Sequence, residues 1–290
     1  MRLQEEADLQ KVLISIFVLL SASAQASVIG VGPGQSIQAA IDAANPGDTI
    51  NVFSGTYYER INVMKTLSLS GIDNGGGRPV LDAGGVGSAV TLSSGGSNLF
   101  GFEIRNSRGT GSAGIEVVSS GNTISGNIVH DSNKGIELSG SSRNTIGGNV
   151  ADNNALGIYV ISSGYNTIVN NIASNNDYGI RIEGSVGNTI QGNILRGSSY
   201  YDAYDSGTNY WGLNGFGNYY SQFRLPEQGC WDSNGDGICD RWYDIPGGSN
   251  VDWSPLTGWD GPAGGSAYYG SSPQFSYIST IASSSSISIS

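Results

Sequence analysis

The residues of this chain best suited to hold something lie close together in the run Asp232-Ser233-Asn234-Gly235-Asp236-Gly237-Ile238-Cys239-Asp240. Hard oxygens occupy its first, third, fifth and ninth places. Gly237 stands at the sixth, where such a loop turns sharply, and Ile238 offers a backbone carbonyl at the seventh. Calcium takes roughly six to eight oxygens at about 2.4 Å, and this spacing lets one short loop wrap the ion. The expected ligands are Asp232, Asn234, Asp236, Ile238 and Asp240, with a merely polar turn as the alternative. Tyr243 holds the twelfth place, where a bidentate glutamate would close the shell, so Asp244 or Asp252 is the expected substitute. Cys230 and Cys239 bracket the loop; in an exported protein they are expected to pair locally and pre-organise it.

A second set of candidates lies upstream. Asp177, Arg181 and Glu183 offer acid and base groups, and paired carboxylates serve glycoside hydrolysis. A step of 22 residues aligns Glu137, Tyr159 and Arg181, with Glu183 two places beyond. Such a column either lines a sugar-binding groove or is an ordinary solvated surface. All five tryptophans lie between Trp211 and Trp259, among many tyrosines. Aromatic faces stack on the C–H faces of sugar rings or seal the end of a core; sealing is the favoured reading. Tyr159, Tyr178, Trp211 and Tyr219 are the carbohydrate-binding candidates. No catalytic set stands out beyond Asp177, Arg181 and Glu183.

What positions these residues is a repeat. Asn122-Thr123-Ile124, Asn144-Thr145-Ile146, Asn166-Thr167-Ile168 and Asn188-Thr189-Ile190 recur every 22 residues, each followed by a second asparagine at 127, 149, 171 and 193. A Gly-Ile pair keeps step at Gly114, Gly135, Gly157 and Gly179. Helical repeats need about 33 to 47 residues and a 3.6-residue stripe. Here the segments are short, β-branched and alternating, as in Gly179-Ile180-Arg181-Ile182. The expected fold is all-β: a right-handed, single-stranded parallel β-helix of about 22 residues per coil. Equivalent residues then stack about 4.8 Å apart, with isoleucines in inward columns and asparagines in hydrogen-bonded ladders at the bends.

An open stack needs covered ends. Ser36 to Ala44 reads as a capping helix with Ser36 as its N-cap, and strands follow at Thr49 to Phe53, Ile61 to Met64 and Thr66 to Leu69. The start of the chain has the layout of a secretory signal peptide, with an apolar Val12–Leu20 and cleavage after Ala26, although Glu5, Glu6 and Asp8 make it unusually acidic. The expected organisation is a signal peptide over 1–26, a β-helix over 27–207, an aromatic-rich, loop-rich cap over 208–260 and a Gly/Ser-rich tail over 261–290. A formal charge of −11 opposes binding to nucleic acid and anionic membranes. It also disfavours uronic-acid polymers without a bridging cation. No later segment is long enough to cross a bilayer. The mature chain is expected to be a secreted or surface-held monomer.

The opening SIQAAIDAANPGDTINVFSGTYYERINVMKTLSLSG, the recurring NTI and GN coils, and the closing GTNYWG with DSNGDGICDRWYDIPGGSNVDWSPL resemble the NosD-like, pectin-lyase-fold β-helix proteins over roughly residues 28 to 260. That family, notably in archaea, includes carbohydrate-active enzymes, copper-site accessory proteins and surface proteins. Copper favours Cys, His and Met. This chain offers one histidine, His130, with Met1, Met64 and two cysteines expected to be paired, so a copper role is the minor expectation. The leading one is a calcium-stabilised, non-catalytic surface module of structural or carbohydrate-binding type. A polysaccharide lyase or glycoside hydrolase working in a groove along the coils is the alternative.

Overall fold

A computed structural model describes residues 25–258. Nearly all of the expected leader and the whole of the expected tail lie outside the described residues. Each coil contributes one strand to each of three sheets, of eleven, eight and seven strands, parallel throughout except for the last strand of the first, Tyr243–Asp244, which pairs antiparallel with Val251–Asp252. The chain visits the first, second and third sheet in turn and then repeats, forming the right-handed parallel β-helix that the repeat implies.

The inward columns follow from alternation. In the first sheet Ile124, Ile146, Ile168 and Ile190 pair in register. In the third sheet Ile136, Ile158 and Ile180 do the same, and every one of these side chains is fully buried. Burying each contributes roughly 1.5 to 3 kcal/mol. Val129, Ala151, Ala173 and Leu195 complete the triangular core from the second sheet. The glycine marker is steric: a Cβ on Gly157 would lie 2.5 Å from the carbonyl oxygen of Gly179, and one on Gly135 equally close to that of Gly157.

The asparagines form two buried ladders. In one, the backbone N–H of Asn122 donates to Oδ1 of Asn144, Asn144 to Asn166, and Asn166 to Asn188, at 2.8 to 2.9 Å. In the other, Asn127, Asn149, Asn171 and Asn193 are joined the same way. Side-chain amides donate alongside, so the bends carry no orphaned amide, as buried polar groups require.

Both ends are closed. The helix Ile37–Ala43 lies at the N-terminal end, with the Ser36 hydroxyl accepting from the Ala39 N–H. Glu59 accepts from the first helical N–H groups and Lys65 donates to the last carbonyls, matching the helix dipole at both ends. At the other end the solenoid does not stop at residue 207. Thr208–Trp211 continues the first sheet and Tyr219–Tyr220 the second. Trp211, Tyr220 and Phe223 are buried beneath the last coil, with Tyr243 stacked on Tyr220 at 4.4 Å. The Cys230–Cys239 disulfide is present in the cap.

Candidate functional site

The outward face of the third sheet gathers most of the upstream candidates. Register places Glu137, Tyr159, Arg181 and Tyr204 in one column and Leu156, Tyr178 and Tyr201 in the next, with Glu183 beyond. The Arg181 guanidinium lies 4.7 Å from the centre of the Tyr178 ring and 5.5 Å from that of Tyr204. Tyr178 also meets Tyr200 and Tyr201 at 5.5 and 6.0 Å, so two tyrosines hold the cation and two more extend the ring cluster on an open face. Such contacts between a cation and aromatic faces hold the rings in place.

The charged groups on this face are already partnered. The Arg181 Nε donates to Glu183 at 2.9 Å, and the Tyr159 hydroxyl donates to the other Glu183 oxygen at 2.6 Å. The Tyr159 bond and Arg181 hold the Glu183 carboxyl below its ordinary range. Burial and the same bond push the Tyr159 hydroxyl up. Glu183 therefore stays ionised and Tyr159 stays protonated at neutral pH. Lys134 donates to both oxygens of the buried Glu137 at 2.7 Å. The face holds rings and fixed dipoles but no free base poised beside a free acid.

Several expectations need correction. Tyr159 is only 9 % exposed, so it braces Glu183 rather than offering its ring. Trp211 and Tyr219 are 2 % and 4 % exposed and lie inside the end of the solenoid; the Trp211 indole N–H donates to Asp205 at 2.8 Å. Neither can stack on a sugar. Asp177 sits in the bend before the strand Tyr178–Glu183, and its carboxylate does not join Arg181 and Glu183 among the described residues. Tyr200, Tyr201 and Tyr204 belong to the aromatic-rich stretch that the sequence offers for sugar stacking or sealing, but not to its four named candidates. Arg181 pairs with Tyr204, one residue past the 22-residue step.

The cap loop is ordered by its own carboxylates. Asp232 accepts from the N–H groups of Gly235, Asp236 and Gly237 at 2.7 to 3.1 Å. The Asn234 amide donates to Asp236 at 3.0 Å, and Asp240 accepts from the Ser233 N–H at 2.9 Å. These bonds bring the side chains at the first, third and fifth places together; Asp232 Oδ1 already accepts twice, while Asp232 Oδ2 and both Asp236 oxygens accept once and keep a lone pair to give. In that respect the loop fits a calcium ion. No three Asp, Glu, His or Cys side chains converge as a metal-holding group among the described residues, so carbonyl and amide oxygens are needed as well. Asp252 is no part of that shell: it is fully buried and bonded to Asn218, Tyr220 and Ser254. Asp244 is exposed on the short strand Tyr243–Asp244.

On the second sheet, His130 is held between Asp131, 2.8 Å from Nδ1, and Glu103, 3.3 Å from Nε2. Arg105 pairs with Asp82 at 2.9 Å in the same column. A lone histidine in the sequence is thus part of a charge network.

The family model described as periplasmic copper-binding protein (NosD) matches residues 86–225. The alginate lyase from Paenibacillus sp. str. FPU-7 superposes with a TM-score of 0.53 at 18% identity, covering 67% of this chain and 76% of that one. Pectate lyase Pel9A gives 0.46 at 16% identity, covering 69% and 76%. The likeness to the alginate lyase speaks to the fold alone. No curated protein matches the chain. Copper, which the family description names, does not fit the residues present: both nitrogens of His130 face carboxylates and both cysteines are tied in the disulfide. No described helix is long and apolar enough to cross a membrane.

Proposed function

Because the chain is a NosD-like right-handed parallel β-helix protein, we propose that it is an exported glycan-recognition module whose third-sheet face binds saccharide rings without turning them over. The observation that carries this reading is the gathering of Tyr200, Tyr201 and Tyr204 around Tyr178 on one open face, with Arg181 over the rings of Tyr178 and Tyr204. Rings held at this spacing on a rigid sheet cost little to order on binding, and their faces suit sugar C–H groups. Turnover is disfavoured because Glu183, Arg181, Lys134 and Glu137 are committed to one another.

Calcium belongs to the same reading, as a structural ion held by Asp232, Asn234, Asp236 and Asp240 with the Ile238 carbonyl. It would tighten the cap rather than act on substrate. The leader-like residues 1–26 support export to the periplasm or the cell surface, and the mature chain acts as a monomer.

The test is a panel of polysaccharides offered to the mature protein with calcium and with chelator, scored for binding and for release of unsaturated or reducing ends. Binding without release supports the reading. Release that disappears in Arg181→Gln or Glu183→Gln would replace it with a lyase or hydrolase. Silence on both scores, with a melting temperature lowered by chelator, would leave a calcium-capped structural protein.

A further inference from the structure

Resting on that reading, we infer that the glycan bound on the third-sheet face is electrically neutral. Electrostatic recognition of a carboxylated polymer needs cations with donors to spare. Of the two on this face, Lys134 gives all three of its donors to Glu137 and the Gly111 carbonyl, and Arg181 turns its Nε and one terminal nitrogen to Glu183. Lys134 is only 14% exposed and lies 2.7 Å from Glu137. Arg181 is paired with Glu183, and its planar group packs against the rings of Tyr178 and Tyr204. A uronate would have to displace Glu137 to reach Lys134, and would meet Arg181 beside the Glu183 carboxylate that already neutralises it.

The remaining charge makes entry harder. Glu116 pairs in register with Glu137 on the same column, its carboxylate accepting from the Thr91 hydroxyl at 3.3 Å. Asp177 stands in the bend next to Tyr178. On the strands themselves Glu116, Glu137 and Glu183 outnumber Lys134 and Arg181, on a chain whose formal charge is already −11. What the face does offer is a set of phenol rings and hydroxyls, which match a neutral pyranose with its apolar C–H face and its equatorial hydroxyls. The cleft at the C-terminal end tells the same way. Tyr210, Leu213, Asn214, Ser249 and Trp253 line it, and no acidic or basic side chain does.

The test uses the mature chain and three sets of matched oligosaccharides: neutral (cello-, xylo- and galacto-oligomers), uronate (alginate and polygalacturonate oligomers) and amino-sugar (chitosan oligomers). Binding is measured by calorimetry at low and high salt, with calcium and with chelator. The expected result is binding of a neutral oligomer that changes little with salt and weakens about ten-fold in Tyr178→Ala, with no uronate binding. Glu183→Gln, which releases Arg181, is expected to admit uronates. Uronate binding by the unaltered chain that equals or exceeds neutral binding, with or without calcium, overturns the inference while leaving glycan recognition standing. So does binding of the amino-sugar set alone. Failure of all three sets overturns glycan recognition itself, and this inference with it.

Discussion

Asn218 gives both its backbone N–H and its side-chain amide to a single oxygen of Asp252, at 2.8 and 3.0 Å. The same oxygen accepts from the Tyr220 hydroxyl at 2.8 Å, and its partner oxygen accepts from the Ser254 N–H at 3.0 Å. Asn218 is itself the acceptor for Asn193, so a buried carboxylate ends the second asparagine ladder. The ladder's backbone N–H groups all donate toward this end, which places their positive poles at the carboxylate. Asp252→Ala strands several buried donors and is expected to cost roughly 3 to 5 kcal/mol. Asp252→Asn keeps the shape but turns an NH2 toward one of those donors, and is expected to cost about half as much. Urea unfolding of the two variants checks both the size and the order.

Stability is expected to fall below about pH 4. Glu183 is held low by the Tyr159 hydroxyl and Arg181, Asp131 by its bond to His130, and Asp48 by the N–H groups of Ser27 and Asn45. Each lends stability above the ordinary carboxylate pKa, and that contribution is lost as the pH falls through its lowered value in the folded protein. Asp252 runs the opposite way. Burial raises its carboxyl, so it weighs against the folded state at neutral pH, and acid relieves it. Several lowered groups against one raised leave a net loss in acid. Urea midpoints measured from pH 7 to pH 2 should decline, and Glu183→Gln should flatten part of that decline; a rise would contradict the assignment.

Gly157→Ala is expected to destabilise far more than a surface glycine change. The added methyl meets the Gly179 carbonyl at 2.5 Å and the Asn176 amide at 2.7 Å, both fixed by the stack. Two adjacent coils must part for it to fit, at a cost of about 2 to 4 kcal/mol, in the range of overpacked cores. Gly184→Ala, whose added methyl meets nothing within 4 Å, is the control. It pays only for a left-handed backbone, φ 53°. Thermal melts of the pair should separate clearly.

Cys230→Ser with Cys239→Ser opens a loop closed over nine residues of sequence, an expected loss of roughly 2 to 3 kcal/mol. If calcium occupies the enclosed loop, the unaltered protein melts higher with calcium than with chelator, and Asp236→Ala abolishes the difference. The cysteine variant should keep a calcium effect but require more calcium to saturate it.

The regular coils could be read from sequence because identical side chains recur at one interval, as with Ile124, Ile146 and Ile168. The candidate face could be read only up to Arg181. Beyond it the interval changes by one residue in both directions: Arg181 pairs with Tyr204, and Ile190 pairs with Trp211. A slip of one residue in a strand exchanges inside for outside. Trp211 is core, as the favoured sealing reading has it and against its place among the sugar-binding candidates, while Tyr204, outside those candidates, lies in the outward column of Arg181. The role of Asp252 was hidden for another reason. Its bonds to Asn218 and Tyr220 span 34 and 32 residues and follow no period, so only the folded cap reveals them.

Every backbone N–H in the asparagine ladders is handed to the coil that follows, from Ser97 and Phe102 at one end to Asn250 and Asp252 at the other. The solenoid therefore reads in one direction, and its interior coils are interchangeable links between two unlike terminators. Adding or deleting one whole link shifts the cap along the axis by about 4.8 Å without any neighbour meeting an unfamiliar surface. The length of a descendant of this chain is thus free to drift in units of one coil, whereas its first and last pieces must be inherited intact.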